Sequence, residues 1–181
     1  MKSYALFEYD VSDFGYAIEK EISEPDKQFD SEGIYHVSLV LSKEEAQPEI
    51  KAINEVIAKK IAELHKSKPG TKEIKRAPLP YKDEDGKVVI KFKTKYKPKA
   101  FDKDNREMSA TTFIYKGTQM RIKYKLNAYD QAIGIGCSLY LLAVQVAKLV
   151  EGQSEVEGFQ PLTNADVSRL PEPEKVKAVV L

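Results

Sequence analysis

Two segments of the chain, 87–97 and 119–127, alternate basic and apolar residues with the period of a β-strand. This alternation places one set of side chains on a buried face and the other set on an exposed face. Residues two apart on a strand lie about 6.6 Å apart, close to the phosphate spacing of an extended nucleic-acid strand. The exposed set consists of Lys91, Lys93, Lys95, Lys97, Arg121, Lys123 and Lys125. A polyanion is therefore the first ligand to consider for these residues.

The positive charge of the chain is concentrated around these two segments. The whole chain of 181 residues carries a net charge of only +1. Residues 87–125 hold 12 Lys or Arg and 3 acids, a net of +9, which leaves −8 for the rest. Such segregation creates a local field that the average composition conceals. The rival interpretation is a solvated sheet face, or lysines that protect an exposed strand edge from pairing.

The aromatic residues near the basic segments fall into two groups. Tyr96 and Tyr124 share the parity of the apolar residues, so we expect them in the core. Tyr129 and Phe101 follow the predicted strand ends in polar surroundings, which makes them the better candidates to stack on bases.

Other patterns that could do chemistry have simpler explanations. The acids at 83–86 and 102–105 lack the twelve-residue pattern of a calcium loop and are typical of hairpin turns. The two glycines at 134–136 lack the third glycine of a dinucleotide loop. His36, His65 and Cys137 fit no zinc spacing, and no catalytic constellation surrounds the histidines. We therefore expect no cofactor, no metal site and no enzymatic activity.

The remaining segments predict an α+β chain dominated by a small β-barrel. Besides the two basic strands we expect strands at 14–22, 33–41, 109–115 and 134–150. Isoleucines at helical spacing predict one amphipathic helix at about 48–66. Ser42 and Glu45 resemble a capping box, but Pro48 suits the first helical position better.

The chain divides into a domain at 1–150 and a polar, proline-containing tail at 151–181. The tail carries six acids and three bases.

No signal peptide is apparent at the start and no apolar run is long enough to span a bilayer, so we expect no membrane association. A single cysteine, Cys137, excludes an internal disulfide and suits a reducing, intracellular location.

The order of these segments resembles the single-stranded DNA-binding proteins of tailed bacteriophages. The likeness covers about residues 14–150 and depends on order and spacing, since no single motif is highly specific. It is carried by residues 16–20, 33–41, the helix that starts at Pro48, 78–81, 89–93, 120–126 with Tyr129, 136–139 and 143–146.

The resemblance implies an OB fold, a five-stranded barrel with a helix inserted after the second strand. It also implies coating of single-stranded DNA without sequence specificity, in phage replication, recombination and repair, in the cytoplasm of the infected host cell. By position, Lys93 and Arg121 match basic residues of the family's DNA-binding strands, and Tyr129 lies in the aromatic-bearing turn after the second basic strand. Replication or recombination proteins, or a second copy of the chain, are further partners that the resemblance leaves open.

In this order the two basic strands are third and fifth, and we expect them to form adjacent walls of one groove. Two alternatives remain open: a general nucleic-acid binder that takes RNA or duplex DNA, and a protein-interaction adaptor with a basic face. A nuclease is disfavoured because it usually needs clustered carboxylates for a metal, where these strands carry lysines.

Overall fold

The computed structural model describes residues 9–17, 25–28, 31–70 and 73–150. Within this part of the chain the elements are, in order, β1 (Asp10–Val11), β2 (Gly15–Ala17), β3 (Tyr35–Ser42), α1 (Gln47–Ser67), β4 (Tyr81–Glu84), β5 (Lys87–Thr94), β6 (Lys99–Phe101), β7 (Gln119–Gln131) and β8 (Gly134–Lys148).

Five strands close into a barrel in the order β2, β3, β5, β8, β7 and back to β2. All of these pairings are antiparallel except that of β5 with β8, which is parallel. The short strands lie outside the ring: β1 pairs with β7, β4 with β5, and β6 with β8. Since α1 follows the second strand of the ring, the predicted OB fold with one inserted helix is confirmed.

Alternating side chains of the barrel strands fill its interior, as the period-two patterns predict. Val37, Leu39 and Leu41 of β3 are fully buried. Phe92 of β5 and Tyr124 of β7 meet inside the barrel in an edge-to-face contact, with ring centroids 5.1 Å apart. The expectation that Tyr124 packs in the core is therefore confirmed.

Helix α1 packs its apolar stripe against β7 and β8. Ile53 and Ile57 are buried, and the helix begins one residue before Pro48 and ends one residue past the predicted end. The capping-box bonds also form, one turn earlier than the helix. The Ser42 N–H donates to the Glu45 carboxylate (2.9 Å) and the Glu45 N–H to Ser42 Oγ (3.2 Å), so the pair stabilises the turn that leads into α1.

The long strand predicted at 134–150 is confirmed as β8, and it contains a bulge. Tyr124 pairs with Leu141 whereas Lys123 pairs with Ala143, so Leu142 is an extra residue. A bulge shifts the alternation by one residue. The inward set therefore changes from odd positions, ending at Leu141, to even positions from Val144, and the apolar side chain of Leu142 is left 37% exposed.

Three strand predictions are wrong or incomplete. Residues 109–115 form turns and a single bridge, and contribute only Ile114 to the core. The first basic strand ends at Thr94 instead of 97, and the chain bends at residues 95 and 96. Tyr96 therefore leaves the strand register and is 74% exposed, which overturns its predicted place in the core. Of the strand expected at 14–22, the structure contains Gly15–Ala17, and residues 18–22 lie outside the described part.

The expected tail at 151–181 also lies outside the described residues. Within residues 9–17, 25–28, 31–70 and 73–150, no helix combines the length and apolar character needed to cross a membrane.

Candidate nucleic-acid interface

The last strand, β8, lies between the two basic strands. Lys93 of β5 is opposite Tyr140 of β8, and Tyr140 is opposite Lys125 of β7. Residues opposite each other in a sheet point to the same side, so the two lysines and the tyrosine share the outer face of the barrel. The expectation that the basic strands are adjacent is wrong. The fourth barrel strand is β7, since 109–115 is not a strand, and β8 is inserted between β5 and β7.

A row of cations follows each edge of β8 on this outer face. Strands β5 and β6 pair with the same edge of β8, one after the other. Ala143 of β8 lies between Lys99 of β6 and Lys123 of β7. The two rows are two strand spacings apart, about 9.6 Å. We call the outer face of β8 together with these rows the β8 face. Its cations are Lys91, Lys93 and Lys99 on one edge and Arg121, Lys123 and Lys125 on the other.

The N-terminal end of the β8 face contains a cavity of about 300 Å³ lined by Lys91, Lys93 and Tyr129. The tyrosine lies within β7, which extends to Gln131, and not in a turn after the strand as predicted. Its ring lies over Gly136, where an added Cβ would be only 2.5 Å from Tyr129 Oη. Gly136 therefore lets the hydroxyl end of the half-buried ring approach the backbone of β8 at the side of the cavity.

One acidic residue, Asp26, faces the same cavity as the two lysines. Its carboxylate lies 3.4 Å from His36 Nε2. The backbone N–H of Gln28 lowers the pKa of Asp26, and His36 and Lys91 lower it further. Asp26 is therefore a carboxylate at neutral pH and acts as an internal counterion beside Lys91.

The C-terminal end of the β8 face holds Phe101, Arg121 and Lys123 around a second cavity of about 510 Å³. The Arg121 Nε–H donates to Gln145 Oε1 (2.6 Å), and the guanidinium lies 5.0 Å from the centre of the Phe14 ring. Lys123 Nζ lies 3.8 Å from the centre of the Tyr9 ring. Cation–π contacts of this kind orient a charged side chain without neutralising it, so both cations remain available to an anion.

Two of the predicted site residues lie away from the β8 face. Lys95 and Lys97 follow the end of β5, in the bend that carries Tyr96. The Lys97 ammonium donates to the carbonyl of Ala110 (2.9 Å), which ties the bend to the loop before β7. A role for Lys95 and Lys97 in binding stays a prediction.

Sequence reasoning missed Tyr140, Lys99 and Tyr9. Tyr140 is in an apolar run that predicts a strand and no site, and Lys99 follows a proline that ends the predicted strand. Their positions depend on which strands become neighbours. One local signal could have found Tyr140. It has the same parity as the polar Ser138, and the buried Leu139 and Leu141 have the other parity, so Tyr140 belongs on the outer face of the strand.

The described side chains of this face offer cations, hydrogen-bond donors and aromatic rings to a ligand. No group of three or more His, Cys, Asp or Glu with metal-site geometry occurs within the described segments. Burial raises the pKa of the Cys137 thiol, which lies under the first cavity, so the thiol is protonated at neutral pH and is a poor nucleophile.

No protein-family model matches the sequence, and no curated protein matches it significantly. Solved structures do match. The single-stranded DNA-binding protein gp2.5 of bacteriophage T7 superposes with a TM-score of 0.66 and 22% identity, over 82% of this chain and 96% of that one. The single-stranded DNA-binding protein of bacteriophage Enc34, in a complex with single-stranded DNA, superposes with a TM-score of 0.56 and 21% identity, over 81% of this chain and 89% of that one.

The resemblance stated from the sequence is thus confirmed at the level of the fold. Single-stranded DNA-binding proteins of two phages share the barrel of this chain over nearly their whole length. At these identities the likeness concerns architecture, and the residues that act must be argued from the β8 face itself.

Proposed function

We propose that this chain is a non-enzymatic single-stranded DNA-binding protein, and that the β8 face is its binding surface. The observation that carries the proposal is the pair of cationic rows along β8, with Tyr140 between them and Tyr129 at one end. Cations that follow a backbone, together with aromatic rings that stack on bases, are the two parts of a sequence-tolerant single-strand site. The shared fold with phage proteins of that function supports the same conclusion.

The six cations of the β8 face contact phosphates in this proposal, with Lys95 and Lys97 available where the strand leaves the barrel. Bases stack on Tyr140, Tyr129 and Phe101. Since backbone contacts and ring stacking read no base identity, the protein coats DNA of any sequence. If about five of these cations each engage one phosphate, the logarithm of the affinity falls with the logarithm of salt concentration at a slope of roughly −3.5.

The biological setting that we propose is phage DNA replication, recombination and repair in the cytoplasm of the infected host cell. Single strands exposed in these processes need protection without any chemical step. Residues 1–150 form the DNA-binding domain in this proposal, with 151–181 as a separate tail. A second copy of the chain, or replication and recombination proteins, are partners consistent with it.

The proposal is tested by titrating labelled oligo-dT, duplex DNA of the same length, single-stranded RNA and heparin at two salt concentrations. We expect oligo-dT to bind most tightly and with the salt dependence given above. Equal affinity for the duplex or for RNA would favour the general nucleic-acid binder. Equal affinity for heparin would favour the adaptor with a basic face.

A double substitution assigns the binding to the β8 face. Lys93→Ala with Arg121→Ala removes one cation from each row and should flatten the salt slope by about 1.4 units, while weakening binding equally for all sequences. Lys51→Ala with Lys60→Ala, on the exposed side of α1, removes the same charge as a control and should leave the slope unchanged. An unchanged low-salt affinity in the Lys93→Ala, Arg121→Ala variant would show that the β8 face is not the binding surface.

A further inference from the structure

We propose that the cavity at the C-terminal end of the β8 face is a pocket for one nucleobase, turned out of the bound strand. This inference rests on the proposed function and adds to it a site that holds a base by its faces and its edge. The lining of this cavity combines apolar walls, a cationic rim and two side-chain amides.

The walls of the cavity are apolar side chains that the fold leaves exposed. Tyr9 is 55% exposed and Val11 48%, and the bulged Leu142 faces the same space. Phe101 of β6 completes the lining. Large exposed apolar side chains that meet in one concavity commonly mark a ligand site. Two aromatic rings and two aliphatic side chains suit a flat ligand with apolar faces.

The rim of the cavity is cationic. Lys99 and Lys123 contribute ammonium groups and Arg121 a guanidinium, from both rows of the β8 face. The Lys99 ammonium is paired with the Glu107 carboxylate (3.1 Å), so phosphate competes with that acid for it. All three cations are among those assigned above to phosphates. A strand that follows the two rows therefore delivers its bases beside the opening, and a base that rotates inward keeps its own phosphate on the rim.

Two side-chain amides line the cavity, those of Asn105 and Gln145. The Gln145 Nε2–H donates to Asn105 Oδ1 (2.7 Å) and to the carbonyl of Asp102 (3.3 Å), while Gln145 Oε1 accepts from Arg121. Because Asn105 Oδ1 is the acceptor in this chain of bonds, its amide Nδ2–H₂ group is left to donate. No bond from Nδ2 is found within the described segments.

The backbone fixes this amide in place. Asn105 has a φ of 62°, a left-handed conformation that asparagine adopts more readily than most residues. Asp102 Oδ1 accepts from the N–H groups of Asp104 and Arg106 and closes the loop around it. An anchored donor in a cavity that two aromatic rings also line suits the edge of a base, whose ring nitrogens and carbonyl oxygens accept hydrogen bonds.

The test uses the full chain and oligo-dT of about 8 nucleotides, a length near one OB-fold site, in which each position in turn carries an abasic sugar. An abasic sugar keeps the phosphate and removes the base. We expect one position to lose roughly tenfold in affinity, and this loss to shrink to about twofold in Tyr9→Ala and in Asn105→Ala. Phe113→Leu changes an exposed aromatic residue that does not line the cavity, and should keep the full tenfold loss.

Three outcomes contradict the pocket. If all abasic positions cost the same, or if Tyr9→Ala and Asn105→Ala leave the costly position unchanged, no base enters the cavity, although single-strand binding itself survives. If intact oligo-dT fails to bind the unsubstituted chain, the proposed function fails and the pocket with it. Lys99→Ala distinguishes the rim from the pocket, because it should weaken intact and abasic strands equally.

Discussion

Tyr140 is the residue on which the stacking half of the proposed site most depends. It lies between Lys93 and Lys125 in one row across three strands, so a strand that contacts both lysines passes over its ring. We expect Tyr140→Ala to lose about 1–3 kcal/mol of binding free energy and Tyr140→Phe to keep nearly all of it. Titrations of oligo-dT at several salt concentrations measure both quantities.

The salt slope separates this effect from a loss of charge. Neither substitution removes a cation, so the slope should stay the same in both variants. An equal loss in Tyr140→Ala and Tyr140→Phe would mean that the hydroxyl, and not the ring, contributes to binding.

Asp26 places a negative charge in the cavity that Lys91 and Lys93 line, and this charge should weaken phosphate binding there. Asp26→Asn keeps an acceptor oxygen for the Gln28 N–H but removes the charge beside Lys91, so phosphate no longer meets a like charge. We expect single-strand affinity to rise about two- to five-fold at low salt and the gain to fade at high salt. Glu63→Gln on α1 changes the same charge away from the face and should have little effect; a similar gain there would show that only net charge matters.

The two tyrosines of the basic segments show what local sequence can decide. Tyr124 follows the alternation and is buried, as predicted. Tyr96 has the same parity in sequence, but the strand ends two residues before it, and the Tyr96 N–H bonds to Thr94 Oγ1 in the bend that follows (3.2 Å). Parity has meaning only while the strand continues. The predicted strand runs to Lys97, whereas β5 ends at Thr94.

At the scale of elements, α1 contains a buried acid that should make stability depend on pH. Glu49, in the first turn of the helix, is 3% exposed, and its Oε2 has no hydrogen-bond partner within the described segments. Burial raises the pKa of this carboxyl above its ordinary value of 4.5, and the charges of Asp13 and Asp10 add to the rise. The folded protein therefore holds this proton to a higher pH than the unfolded chain does.

The sign of the pH effect follows from that difference. A raised folded pKa contributes stability that is present at low pH and is lost as the pH rises from 4.5 through the raised pKa. We expect Glu49→Gln to gain free energy of unfolding relative to the unsubstituted protein as pH rises through this window, measured by urea unfolding. Glu55→Gln, exposed on the same helix, should show no such trend. A pH-independent difference for Glu49→Gln would contradict the prediction.

Most of the long elements could be predicted from sequence, but which strands pair with each other could not. Alternation indicated β3, β5 and β7, isoleucine spacing indicated α1, and an apolar run with two glycines and several valines indicated β8. The pairing of β8 with both basic strands joins residues such as Lys93 and Tyr140, which are far apart in sequence, and no local pattern contains it. The short strands β1, β4 and β6 were missed because two to four residues show no periodicity.

At the scale of the whole molecule, the barrel strands lie between residues 15 and 148. We therefore expect a chain that ends at residue 150 to unfold cooperatively, with a thermal midpoint within about 3 °C of the full chain. Removing 151–181 deletes six acids and three bases and raises the net charge from +1 to +4, so single-strand affinity should be kept or slightly increased. A clearly lower midpoint, followed by calorimetry, would show that the tail belongs to the domain.

The position of β8 in the chain has a consequence for biosynthesis. This strand pairs with β5, β6 and β7, yet it is the last described strand to be translated. A nascent chain that has been translated only as far as β7 cannot close the barrel, and it lacks β8 between its two basic strands. Long-range parallel pairing also folds slowly. A ribosome-bound intermediate should therefore expose its lysines without the ordered surface, and selective binding of single strands should begin only after residue 148 has left the exit tunnel.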